Sequence, residues 1–158
     1  MRYAIEAALA LVFCLALIGK ILLAPVTGHF DERKIDFAEL GQALEKYHQD
    51  HGAYPVSVGW DGYYAPWGEA GPDWIKGLAP GYIAHLPYDP RGESAPTRQY
   101  FYKSDGKDYK LIAHHVEDCD KARNDTMTMV RVDPARDCFA YGIWTQNHFC
   151  PVNKRLDA

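Results

Sequence analysis

The sequence lacks the patterns that usually announce catalysis. It contains no Gly-x-Ser-x-Gly elbow, no glycine-rich phosphate loop and no His-Glu-x-x-His, so acyl transfer, nucleotide chemistry and zinc-dependent hydrolysis have no positive support. Its 4 cysteines, Cys14, Cys119, Cys138 and Cys150, form no Cys-x-x-Cys pair, which removes the commonest zinc and dithiol signatures. Positive charge is also scarce. The 17 Lys and Arg against 21 Asp and Glu give a net charge of −4, with no basic tail to neutralise phosphates. Nucleic acid is therefore not an expected partner, and the chain is not expected to be an enzyme. No internal repeat or long charged run is present, so the 158 residues read as one folded domain with an apolar appendage.

The appendage lies at the N-terminal end, where Tyr3 to Leu23 carries only two charges, Glu6 and Lys20. A helix over that stretch rises about 30 Å, the thickness of a bilayer's hydrocarbon core. Residues 1–24 are accordingly expected to be a transmembrane anchor in contact with membrane lipid, 25–28 a hinge, and 29–158 the folded domain. A cleaved signal peptide is the competing reading. Its hydrophobic region would be Ala7 to Ile18, followed by no better small-x-small site than Val26-Thr27-Gly28. Arg2 on the short flank favours a cytoplasmic N-terminus, which puts the domain in an oxidising space. Cys119 and Cys138 fall at the end of one predicted strand and the start of another and are expected to form a disulfide, with Cys150 left over.

Beyond the hinge, Asp31 is expected to cap a second helix running to about His51. Within it Phe30, Phe37, Leu40, Leu44 and Tyr47 recur at spacings of 7, 3, 4 and 3, an apolar stripe. Gly52, with Pro55 after it, ends that helix. Residues 56–98 carry Gly and Pro so densely that only short helical turns, around Asp73 to Leu78, are expected there. Gln99 to Lys103 and Tyr109 to His114 flank Asp105-Gly106 and predict a β-hairpin, with Met127 to Val132 and Cys138 to Thr145 as third and fourth strands. The expected fold is α+β: an N-terminal transmembrane helix continuing into an amphipathic helix packed on a small antiparallel β-sheet.

Three clusters are candidates for function. Trp60, Tyr63, Tyr64, Trp67 and Trp74 stand among Gly59, Gly62, Gly68 and Gly71, where large rings either contact a partner or form the loop's own small core. Asp118, Asp120, Asn124 and Asp125, beside Glu117, offer oxygens to a hard cation such as calcium; Lys121 and Arg123 oppose this, and the plainer reading is a solvated loop tied by Cys119. His48 and His51 have the spacing of a two-histidine metal pair without a third ligand, and His114 and His115 are adjacent, so a strand would point them to opposite faces. No cofactor other than a possible calcium ion is expected.

The helix exit Tyr47-His48-Gln49-Asp50-His51-Gly52-Ala53-Tyr54-Pro55 and the turn Leu86-Pro87-Tyr88-Asp89-Pro90-Arg91-Gly92, followed by a Tyr-rich hairpin, resemble the type IV pilin-like proteins. The nearest resemblance is to the major pseudopilins of type II secretion, and it covers roughly residues 30–115. The family's leader-peptidase motif is not found: no Gly precedes the apolar run, and Glu6 stands one place past the family's Glu. The resemblance implies a pilin-like periplasmic domain anchored in a bacterial inner membrane by a single pass. It also implies assembly with copies of itself or other membrane-protein subunits into a secretion filament, and calcium in a loop late in the sheet region. The alternative is an accessory or structural subunit of another membrane complex, docking by its single helix and aromatic loop.

Overall fold

The computed structural model describes residues 29–92 and 95–145. The expected anchor and hinge, Cys14 and Cys150 lie outside the described residues. Among the described residues no helix is long and apolar enough to cross a membrane.

The first element, α1 (His29–His51), buries Phe30, Arg33, Phe37, Leu40, Ala43 and Leu44, and Tyr47 packs at the edge of the same core. Positions 30, 33, 37, 40, 44 and 47 alternate steps of three and four, so the gap of seven in the predicted stripe is filled by Arg33, which is fully buried. The helix is already formed at His29, which corrects the expected cap: Asp31 lies within the helix and does not begin it. Gly52 closes it as expected. Its φ is 72° and its N–H donates to the His48 carbonyl at 2.8 Å, a left-handed cap in which any side chain would be strained.

Four strands follow, β1 (Tyr100–Ser104), β2 (Tyr109–His114), β3 (Arg131–Asp133) and β4 (Asp137–Trp144), with a short helix α2 (Cys119–Asn124) between β2 and β3. They form one sheet in the order β1-β2-β4-β3, every neighbouring pair antiparallel. The hairpin closes at Ser104 opposite Tyr109, and the Asp105 carboxylate accepts the Lys107 and Asp108 N–H groups at 3.0 and 2.9 Å to shape its turn. The third strand begins later than predicted, because the Asp125 carboxylate accepts the Met127 and Thr128 N–H groups at 2.9 and 3.2 Å and draws them into a turn. Helix α2 was not expected, since six residues are too few to show an apolar period.

The protein is thus α+β, one helix on a small antiparallel sheet. On the inner sheet face Tyr100, Tyr102, Leu111, Ala113, Tyr141 and Ile143 meet the α1 stripe. The Phe37 ring lies 5.2 Å from Tyr100 and 6.4 Å from Tyr141. On the outer face Phe101, Ile112 and Ala140 form a smaller cluster under Trp60 and Ala65. Both faces of β1 and β2 are covered, which is why nearly every residue in them is buried.

The long segment 53–99 supplies the outer cover. Asp61 exchanges backbone hydrogen bonds of 2.9 and 2.8 Å with Tyr102, protecting the β1 edge. Its carboxylate receives the N–H groups of Val58, Gly59 and Glu69 at 3.0, 3.0 and 2.7 Å, folding the loop around one buried acid. Around Asp73 to Leu78 the chain makes turns only, but Trp74, Ile75 and Leu78 enter the inner core.

Candidate functional site

The structure sorts the five aromatic candidates by depth. Trp74 is 1% exposed and belongs to the inner core, a correction to its place on a partner surface: ordering this turn buries it against Tyr100. Tyr63 is half-buried against the same core. Trp60 is half-buried over the outer cluster, with the Arg136 guanidinium 4.6 Å and the Lys103 ammonium 5.6 Å from its ring centre. Only Trp67 and Tyr64, at 53% and 39% exposure, face solvent.

Trp67 does not stand alone. Its ring is 5.5 Å from Phe101 and 6.1 Å from His114; His114 stacks on His115 at 4.7 Å; and His115 lies 5.2 Å from Phe139, which is 62% exposed. A row of rings therefore runs from the loop over Phe101 and His114 to Phe139 of β4. The strand rule predicted that His114 and His115 would part, but His115 leaves β2 at a φ of 53° and turns its ring back onto its neighbour. Burial pushes the His114 imidazole below its ordinary pKa, and its Nδ1 lies 2.7 Å from the Thr97 carbonyl oxygen. Phe139 was missed as a surface residue, because alternation along β4 puts it in step with the inner-core Tyr141 and Ile143 and gave no signal of its exposure.

A second cluster joins the Asp89 turn to α1 and α2. Arg33 donates from Nε and Nη2 to the two Asp89 oxygens at 3.2 and 3.1 Å, and from Nη1 to Asp118 at 3.0 Å and the Tyr141 hydroxyl at 2.9 Å. Arg91 grips the same Asp89 carboxylate at 2.7 and 2.9 Å and donates to the His115 and His114 carbonyls at 2.7 and 3.0 Å. Glu117 accepts from Arg33 at 3.2 Å and lies 2.7 Å from His29 Nδ1. Burial alone would raise its pKa, but the His29 contact and the Arg33 charge outweigh that and hold it at about 2. Desolvation likewise disfavours the Arg33 cation, and the bonds and charge of Asp89 overcome it.

The expected disulfide is present: Cys119, at the start of α2, is bonded to Cys138, near the start of β4, 19 residues on. Of the four oxygen-bearing candidates for calcium, Asp118 spends its carboxylate on Arg33 and Tyr141, and Asp125 spends its own on Met127 and Thr128. Asp120 and Asn124 lie exposed on α2, where the Asn124 amide donates to the Asp120 carbonyl at 2.9 Å. At the helix exit His48 stacks on Tyr54 and His51 on Tyr47, at 4.5 and 4.0 Å. Among the described residues no group of three or more His, Cys, Asp or Glu side chains is arranged to hold a metal ion. No family model, curated protein or solved structure matches the chain.

Proposed function

We propose that the chain is a non-catalytic, single-pass membrane-anchored subunit of the pilin-like kind, serving assembly of a secretion filament with its domain on the periplasmic face. The observation that carries this reading is the role of the two resemblance motifs. Gly52 terminates α1, and Asp89 of the Leu86–Gly92 turn clamps Arg33 on the buried face of α1. Both motifs thus serve one task, fixing a single amphipathic helix on a sheet, and the described residues open with that helix at His29, a few positions after the apolar stretch 3–23 in the sequence. A domain whose first helix is fixed in this way, downstream of an apolar stretch in the sequence, suits a subunit that packs by that stretch among lipids and other helices.

The test is made on the full chain in membranes. It should resist alkaline extraction, expose its domain to protease on the periplasmic side only, and yield cross-linked multimers of itself. Deleting residues 1–24 should release the domain into the soluble fraction. Recovery of the full chain in the soluble fraction would overturn the proposal.

A second reading is an accessory subunit of another membrane complex, favoured by the ring row whose two ends, Trp67 and Phe139, are exposed, since large exposed rings mark contact surfaces. Cross-links from Trp67 to a different protein, with none between copies, would select it.

A further inference from the structure

A groove of about 720 Å³ runs along α1 between its solvent side and the 127–130 segment, within the range of about 300–1,000 Å³ typical of small-molecule sites. It lies away from the ring row and is used by nothing described above. Phe37, Gly41, Tyr109 and Ile143 line it beneath Met127 and Met129, which are 91% and 70% exposed. Gly41 has a reason to be there. Glycine is disfavoured in mid-helix, and a Cβ at this position would stand 3.1 Å from Ile143 Cδ1, so the missing side chain keeps the floor open down to β4. Methionine is unbranched and polarizable, and two of them make a wall that adapts to a flexible apolar guest.

The charges name the other end of that guest. Lys34 and Lys46 line the groove toward its two ends along α1, and Glu45 is its one acidic residue. Lys34 is engaged with Asp31 and Asp125 at 3.1 and 3.7 Å, and Glu45 accepts the Tyr54 hydroxyl at 2.8 Å. Lys46 makes no ion pair or hydrogen bond among the described residues. From Lys34 to Gln49 the helix runs about 22 Å, enough for one extended acyl chain, which spans about 15 Å in half of a bilayer core. We propose that this groove binds a free long-chain carboxylate, its chain laid over Gly41 and Ile143 under the two methionines and its head on Lys46. The inference does not depend on the filament reading.

The test uses purified full-length protein and a photoactivatable hexadecanoic acid bearing a diazirine, with labelled peptides mapped after irradiation. Adducts are expected on residues 127–130 and on the 37–42 stretch of α1. Gly41→Leu, which fills the floor, and Lys46→Glu, an exposed change that leaves packing alone, should each lower labelling by about tenfold or more, and unlabelled hexadecanoate should compete about tenfold better than hexadecanol. Labelling confined to other residues, undiminished labelling of Lys46→Glu, or equal competition by the alcohol would overturn the proposal. So would a protein–protein adduct formed from a photoreactive methionine at position 129, which would show the groove covered by a second copy or another chain.

Discussion

Two stretches of this protein, the loop 53–99 and the connection 115–136 that carries α2 and β3 from β2 to β4, are held by different balances of burial and ties. The first is folded around apolar mass, with Trp74, Ile75, Leu78 and Leu86 in the inner core, and its backbone is gathered by the single carboxylate of Asp61. The second places only Cys119, Ala122 and Val130 among the buried hydrophobic residues. It is held instead by the Cys119–Cys138 bond and by Glu117 and Asp118 on Arg33. A segment with enough large side chains draws most of its hold from hydrophobic burial and adds a few ties, here Asp89 on Arg33, to it. One without them needs covalent or ionic ties to offset its ordering entropy.

That contrast can be broken from either side, and the largest effect should come from Arg33. Arg33→Met takes the cation from Asp118 and leaves Asp89 only Arg91 of its two arginines, and should destabilise by up to about 5 kcal/mol in urea unfolding, because a buried ion-pair network loses its shared partner. Trp74→Ala should cost about 4 kcal/mol through the cavity it leaves in the first segment. Replacing Cys119 and Cys138 together by serine should cost about 3 kcal/mol for a loop of this length. If the segments are independent, the Trp74 and cysteine losses should add.

A smaller test is electrostatic. Glu117, held at about 2 in the folded chain against an ordinary 4.5, stabilises the fold above pH 4.5, and that contribution is lost progressively as pH falls from there toward 2. The melting temperature of Glu117→Gln should therefore fall less steeply than the parent's over that window. The smallest effect belongs to Trp67→Ala, expected to change stability by less than about 0.5 kcal/mol because the ring is half in solvent. The same change should reduce cross-linking to a partner if the ring row is a contact surface.

Much of the fold was legible because it is local. The Gly52 helix stop and the β1–β2 hairpin depend on residues a few places apart, where period and turn chemistry act directly, and the helix-on-sheet layering follows from the apolar stripe such a helix must bury. The disulfide was legible because few cysteines were available to pair. Reading the aromatic loop went less far: composition identified Trp60, Tyr63, Tyr64, Trp67 and Trp74 as a group but could not tell which would be buried, and it missed Phe139, brought beside His115 by the sheet.

By itself, then, the sequence determined the helical stripe, its end, the turn of the hairpin and the alternation of strands, all set by φ preferences and by side-chain spacing along the chain. Tertiary structure alone decided where the charges went. Arg33 sits in an apolar stripe because Asp89, Asp118 and Tyr141, 56, 85 and 108 residues away, converge on it. Lys110 is buried in β2 because Asp133 meets it at 2.6 Å from across the sheet. A buried charge is tolerable only with its partner in place, and partners so distant in sequence are found by folding, not by reading along the chain.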